Sequence, residues 1–139
     1  MGSTSGSSPR DEQIAKVSRR IDGALRFLEL DLDITEDDVI VYDRYAGGGY
    51  GFMTEEKAGA VKVAAETEGL LLDPVYTASS MACLIDLCET GFFGPDDVVV
   101  FLNTDGSAAL FPYKEALRAY ALGETPPWTI PPWSHLATR

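Results

Sequence analysis

Residues 70–81, LLLDPVYTASSM, decide how the middle of this chain folds, because an apolar run meets an Asp-Pro pair and then a helical pattern. The Asp-Pro pair predicts a sharp turn, and Gly91 predicts the end of the helix that follows. Three hydroxyl side chains could cap the start of this helix: Thr77, Ser79 or Ser80. The turn therefore places Tyr76 at the entrance to a helix, where a side chain is well held for chemistry.

Two further segments share this glycine-rich, hydroxyl-bearing character: residues 45–51 (YAGGGYG) and 101–111 (FLNTDGSAALF). Both lie at the ends of predicted strands. Ligands of open parallel sheets bind at the carboxyl ends of the strands. The three segments are therefore predicted to form one site.

Helical spacing of apolar residues predicts a first helix from about Pro9 or Asp11 to Leu30, and a second from the N-cap Thr54 to Gly69. Two apolar runs, residues 39–42 and 98–102, predict buried strands, the second being the central one. This order predicts an α/β fold with a partial three-layer parallel sheet and flanking helices. Two strands cannot cover both faces of a sheet, so residues 70–72 and the N-terminus hide further strands, or another polypeptide completes the sheet.

The composition indicates one acidic domain: 139 residues with 22 acidic and 11 basic side chains give a net charge of -11. Such a charge argues against binding to nucleic acid or anionic membranes. No secretory signal is recognised, and the longest apolar run is too short to span a bilayer, so a cytoplasmic location is expected. Residues 1–9 are predicted to be a flexible N-terminus. Residues 123–139 form a Pro/Trp-rich tail, in which Trp128 and Trp133 are expected to dock onto the domain or a partner subunit.

Common catalytic motifs are missing from the sequence, and the lone His135 has no metal-ligand companion, so no metal site is predicted. Cys83 and Cys88 are five apart, about 140° around a helix, and both are interpreted as reduced core thiols. The four lysines are interpreted as solvated side chains: Lys16, Lys57, Lys62 and Lys114.

Three motifs in order carry a family resemblance: GYG at 49–51, DPVYT at 73–77 before a helix, and Thr-x-Gly-x-x-Ala-Leu-Phe at 104–111. Together they resemble the C-terminal part of the D-cysteine desulfhydrase and 1-aminocyclopropane-1-carboxylate deaminase family, over residues 14–113. These are pyridoxal-phosphate enzymes of the tryptophan synthase β type. The resemblance implies that residues 10–122 form part of a fold type II large domain.

The resemblance also implies roles for individual residues. Tyr76 corresponds to the active-site tyrosine that acts near the substrate α-carbon or leaving group, and a helix N-terminus would favour negative charge on its oxygen. Tyr50 corresponds to a second tyrosine on the substrate side. Thr77 corresponds to the position facing the pyridine nitrogen of the cofactor, while Thr104 and Gly106 belong to the loop beside its ring.

A threonine at position 77, where the ring-opening deaminases carry glutamate, implies the desulfhydrase branch and a β-elimination. The sequence also departs from the family pattern, with Ala78 and Ser79 for a Gly-Lys pair, and Asn103 and Asp105 for a histidine and a glycine. These changes add a negative charge and restrict the backbone near the cofactor.

The Schiff-base lysine and the phosphate-binding loop belong to the family's N-terminal two thirds, which nothing in this chain resembles. The implied protein is a C-terminal fragment or split subunit, inactive alone, acting on a small amino acid once completed in a homo- or hetero-oligomer. One alternative is a non-catalytic relic domain that self-associates, binds a small anion or regulates a paralogue. Another is a generic acidic α/β domain with chance motifs.

Overall fold

A computed structural model of the chain describes residues 2–3, 9–104 and 106–127. Its elements in chain order are β1 (Gly2–Ser3), α1 (Arg10–Phe27), β2 (Val41–Tyr42), α2 (Glu55–Glu68), α3 (Thr77–Glu89) and α4 (Lys114–Ala121). Short 3-10 helices occupy Glu36–Asp38, Arg44–Ala46 and Ser107–Tyr113. The predictions for Asp105, Trp128, Trp133 and His135 lie outside the described residues.

Helices α2 and α3 form the centre of the fold. Their facing surfaces carry small residues, including Ala60 on α2 and Ala82 on α3, which let the two helices approach closely. Helix α2 begins and ends where the sequence predicted. The Thr54 side chain accepts a hydrogen bond from the Lys57 amide at 3.4 Å, and Gly69 adopts the left-handed conformation at φ 66°.

The observed sheet is small. β1 and β2 pair in parallel, with Gly2 opposite Val41 and Ser3 opposite Tyr42. Residues 2 and 3 thus supply a strand from the N-terminus, one of the two sources anticipated for missing strands. The pairing is two residues long, so the predicted three-layer parallel sheet is not confirmed.

Residues 98–102, predicted to be the central strand, are not a strand in the structure. Val98 is 90% exposed, Val100 86% and Leu102 78%, whereas a central strand of a parallel sheet is buried on both faces. The prediction was wrong because an apolar run becomes a strand only when a neighbouring backbone pairs with it. Within the ranges described, no such neighbour lies beside it.

Helix α1 lies at the edge of the molecule. The Arg10 side chain donates from Nε to the Val41 carbonyl at 3.0 Å, which ties the start of the helix to β2. At the other end Phe27 is 86% exposed, and none of the residues of α1 is fully buried. Among the described helices, this one included, none combines the length and apolarity needed to cross a membrane.

The two cysteines differ in environment. Cys83 is buried, as predicted, but Cys88 is exposed and therefore is not a core thiol. Five positions along a helix turn the second side chain away from the face that carries the first. Burial also raises the pKa of the Cys83 thiol, which disfavours the reactive thiolate.

We therefore expect a chromogenic disulfide reagent to titrate one thiol per native chain quickly. The second should react only after denaturation. Cys88→Ser should remove the fast phase, and the matched Cys83→Ser variant should keep it. Equal reaction rates for both thiols in the native chain would contradict this assignment.

Candidate functional site

The loop at residues 45–51 and the turn at residues 70–76 meet through two tyrosines. The hydroxyl groups of Tyr50 and Tyr76 are hydrogen-bonded to each other. Their rings pack edge to face, with centroids 5.8 Å apart and planes inclined by 65°. Each side chain is 52% exposed, so the paired phenols are open to an incoming ligand.

Asp73 builds the turn that carries Tyr76. Its carboxylate is buried and accepts four hydrogen bonds, each of 2.8 Å: from the amides of Val75, Tyr76 and Thr77, and from the Thr77 hydroxyl. Two of these amides belong to the turn that leads into α3 and the third to its first residue, so the Asp73 carboxylate holds that turn and lies close to the positive end of the helix. The position of Tyr76 is therefore set by a buried charge.

Thr77 is buried against Asp73. Besides donating to the carboxylate, its Oγ1 accepts a hydrogen bond from the Asp73 amide at 2.8 Å. The prediction that Thr77, Ser79 or Ser80 caps α3 was wrong, because the helix already begins at Thr77 and its N-cap position is Tyr76, so all three hydroxyls lie within the first turn. The predicted approach of Thr77 to a cofactor nitrogen stays a prediction, and in this structure the hydroxyl is engaged by Asp73.

The loop at residues 101–111 reaches the same turn through Gly106. This glycine has φ 124°, and a Cβ placed on it would lie 2.7 Å from the Asp73 Cβ. Only glycine allows so close an approach. Thr104 lies two residues earlier with an exposed side chain. The structure thus joins Tyr50, Tyr76, Thr77 and Gly106 around Asp73, and leaves Thr104 at the surface of the loop.

Lys57 holds the loop that presents Tyr50. The side chain is 1% exposed, and its Nζ donates to the carbonyls of Ala46 at 3.1 Å and Phe52 at 2.8 Å. The interpretation of Lys57 as a solvated lysine was therefore wrong. Burial lowers the pKa of its amine. The lysine fastens both ends of the glycine-rich segment to α2.

A third fixed point of the same loop is the Gly51 carbonyl, which accepts a hydrogen bond of 2.5 Å from the Tyr113 hydroxyl. Burial raises the pKa of Tyr113 to about 12, so this phenol is a donor at neutral pH. Tyr113 belongs to the 3-10 helix that follows Gly106, which connects the third loop to the first. These hydrogen bonds fix the glycine-rich loop at several points, so that Tyr50 is held in one position.

The tyrosine pair is suited to proton exchange at a ligand. The hydrogen bond to Tyr76 raises the pKa of Tyr50, so Tyr50 keeps its proton at neutral pH. Tyr50 can then donate its hydrogen bond to the Tyr76 oxygen. A phenol so placed can accept or release a proton near a bound molecule.

The remaining lysines are paired with glutamates: Lys16 with Glu12 at 2.6 Å, Lys62 with Glu66 at 2.8 Å and Lys114 with Glu115 at 3.8 Å. All three ammonium groups are partly or largely exposed. In the part of the chain that the structure describes, no group of three or more His, Cys, Asp or Glu residues could hold a metal ion.

Sequence reasoning did not identify Asp73 and Lys57 as the residues that hold the site. For Asp73 a signal was present, since an aspartate side chain can hydrogen-bond to the backbone amide two residues later and so hold a turn. For Lys57 the signal was its phase, because Lys57, Val61 and Ala64 lie at positions i, i+4 and i+7 on the inner face of α2.

The sequence of this chain is similar to part of two known enzymes. The chain is 39% identical over 102 residues to D-cysteine desulfhydrase of Klebsiella pneumoniae, covering 73% of this chain and 30% of that enzyme. It is 36% identical over 107 residues to 1-aminocyclopropane-1-carboxylate deaminase of Burkholderia cenocepacia, covering 77% and 31%. The chain is homologous to part of the aminocyclopropane-carboxylate deaminase and D-cysteine desulfhydrase family. The family resemblance drawn from the sequence is thereby confirmed.

A solved structure agrees with this assignment to the deaminase and desulfhydrase family. The crystal structure of an ACC deaminase homologue superposes with a TM-score of 0.68 and 28% sequence identity, over 85% of this chain and 34% of that one. No family model matches the chain. The chain spans about a third of the length of these relatives, a share consistent with their C-terminal portion.

Proposed function

We propose that this chain is the C-terminal part of a pyridoxal-phosphate-dependent lyase or deaminase, and that it works only when joined to the part of the enzyme that carries the Schiff-base lysine. The reaction most in keeping with Thr77 is β-elimination from a small amino acid, as in D-cysteine desulfhydrase. The single observation that carries the proposal is the exposed pair of hydroxyls of Tyr50 and Tyr76 at the entrance to α3.

The residues present fit one side of such a cofactor. When bound, pyridoxal phosphate supplies an electron sink that acidifies the α-carbon of an amino acid. Tyr76 would face that carbon or the leaving group and move a proton there, while Tyr50 would hold the Tyr76 oxygen in place. Thr77 and Gly106 would border the ring, and Thr104 would lie on the adjoining loop.

None of the four lysines of this chain is placed to bind the cofactor as a Schiff base. The amine of Lys57 is buried and donates to two carbonyls, and the other three lysines are paired with glutamates at the surface. A free, desolvated amine beside the tyrosines is what a Schiff-base lysine requires. We therefore expect the chain alone to be inactive, and the completed enzyme to be a cytoplasmic homo- or hetero-oligomer.

The test is a single-chain chimera in which this sequence replaces the matching segment of the Klebsiella desulfhydrase. The chimera should bind pyridoxal phosphate, seen as visible absorbance, and release sulfide from D-cysteine. Tyr76→Phe should keep the absorbance and lower sulfide release by about 100-fold or more, the usual contribution of a general acid or base.

Tyr42→Phe is the matched control for Tyr76→Phe, because Tyr42 lies in β2 and packs against the buried cluster that contains Tyr45 and Leu87, and it should leave the rate unchanged. Equal rates for Tyr76→Phe and the unmodified chimera would refute the role of Tyr76. A soluble chimera that never becomes coloured would refute the proposal as a whole.

A relic domain without catalytic activity, acting by self-association or by regulating a paralogue, is the second candidate. The observation that favours it concerns the Thr77 hydroxyl. This group already donates a hydrogen bond to the Asp73 carboxylate and accepts one from the Asp73 amide. A ring nitrogen facing this position would have to compete with a buried carboxylate. A folded chimera that excludes cofactor is the outcome expected of a relic.

A further inference from the structure

Residues 98–102 have the side-chain pattern of a β-strand although no strand is assigned there. Val98, Val100 and Leu102 are 90%, 86% and 78% exposed, whereas Val99 is 41% exposed and Phe101 is half-buried. Phe101 packs against the buried cluster around Leu72 and Ala78. An alternation with period two is the signature of an extended segment with one face held against the core.

Within the part of the chain that the structure describes, the backbone of this segment is also unpaired. Among the described residues, the amides and carbonyls of 98–102 make no hydrogen bond to another main chain. The segment carries neither charge nor proline, the features by which exposed edges usually avoid pairing. Its outward face consists of two valines and a leucine. An apolar face beside a bare edge is what remains when a sheet loses its neighbouring strand.

We infer that residues 98–102 are the docking edge of this chain, and that its occupant is a strand from the part of the family sequence that the chain does not span. The relatives are about three times as long as the matched region, and the solved ACC deaminase homologue superposes on this chain as 34% of its own length. In the solved homologue, the part that superposes on this chain is joined to the rest of a polypeptide about three times as long.

A second copy of the chain is a poorer occupant. Each copy carries a formal charge of -11, and Asp96 and Asp97 stand at the start of the edge, so two copies would repel each other. A neighbouring strand of the longer polypeptide would pair with the backbone, and the element packed on that face of the enlarged sheet would cover Val98, Val100 and Leu102. This inference rests on the proposed function and names the surface through which the enzyme is completed.

The test is coexpression of the full chain with a tagged polypeptide comprising the part of the Klebsiella desulfhydrase that the chain does not match. The two should copurify in equal amounts. Val100→Asp should weaken the complex by about 100-fold or more, because a carboxylate would be buried in an apolar interface. Val63→Asp is the matched control, since Val63 is 47% exposed on α2 and far from the edge in sequence, and it should leave the complex intact.

Circular dichroism of the isolated Val100→Asp chain should match the unmodified chain, because residue 100 is exposed there. Failure to copurify, or an unchanged affinity in Val100→Asp, would overturn the inference. So would a dimer of the unmodified chain that Val100→Asp converts to a monomer, because the occupant would then be a second copy.

Failure of this inference is distinguishable from failure of the proposed function. A Val100-dependent complex that stays colourless with pyridoxal phosphate supports the docking edge and contradicts the enzyme. A coloured, active chimera together with pieces that do not associate through residue 100 supports the enzyme and overturns the docking edge.

Discussion

Replacing Asp73 by alanine is expected to lower the free energy of unfolding by about 3 kcal/mol or more, because one buried carboxylate satisfies three amides and a hydroxyl. Without the carboxylate, the three amides and the hydroxyl lose their acceptor in a region closed to water. Urea unfolding followed by circular dichroism measures the loss. Asp73→Asn keeps one acceptor oxygen and should lose about half as much.

The matched control for Asp73→Ala is Asp97→Ala. The Asp97 carboxylate also accepts an amide hydrogen bond three residues away, from Gly94 at 2.7 Å, but that turn is exposed. Water can replace the missing oxygen there, so a loss below about 1 kcal/mol is expected. If both alanine variants unfold at the same urea concentration, Asp73 is not the residue that holds the turn.

Replacing Lys57 by methionine is expected to cost about 2 kcal/mol at neutral pH, since the carbonyls of Ala46 and Phe52 lose their donor while the packing of the aliphatic stem is retained. The loop that carries Tyr50 should also loosen. Amide hydrogen exchange over residues 47–52 measures that change.

The pH dependence of the Lys57→Met effect has a definite sign. Burial lowers the pKa of Lys57 in the folded state below its ordinary value of 10.5, so between the two values the unfolded chain binds the extra proton. Folding stability then rises with pH over that window. The stability difference between the unmodified chain and Lys57→Met should therefore grow as the pH rises towards 10.5, where the unfolded lysine also loses its proton.

Lys62→Met is the matched control for Lys57→Met on the same helix. The Lys62 side chain is exposed, and its hydrogen bond to Glu66 raises its pKa, so its contribution should fall, not rise, at high pH. A pH-independent difference for Lys57→Met, or one that shrinks towards pH 10.5, would contradict the burial of its amine.

The parts of the fold that the sequence predicted are those set by local chemistry. Thr54 and Gly69 mark the ends of α2 through hydrogen bonds and dihedral angles that depend on adjacent residues. The meeting of Tyr50 and Tyr76 was anticipated as well, because both lie in loops assigned to one edge of the fold. Their chemical roles remain predictions.

The parts that could not be predicted depend on which other backbone groups each segment meets in the folded chain. An apolar run such as residues 98–102 reads as a strand, yet pairing requires a neighbour that the sequence does not specify. Likewise, a lysine on a helix is normally solvated, and Lys57 is buried because two carbonyls of the preceding loop, those of Ala46 and Phe52, turn towards it. Periodicity places Lys57 on the inner face of α2, but it does not identify the carbonyls that bind Lys57 or a strand that pairs with residues 98–102.

The edge at residues 98–102, which is unpaired among the residues that the structure describes, affects how the protein behaves in a cell. Five uncharged residues rich in valine, without proline, form a template on which other chains can stack in cross-β order. Until that edge is covered, the chain is exposed to aggregation and to proteolytic clearance. The abundance of the chain should therefore follow the abundance of the partner that covers this edge. We expect the two to be synthesised together.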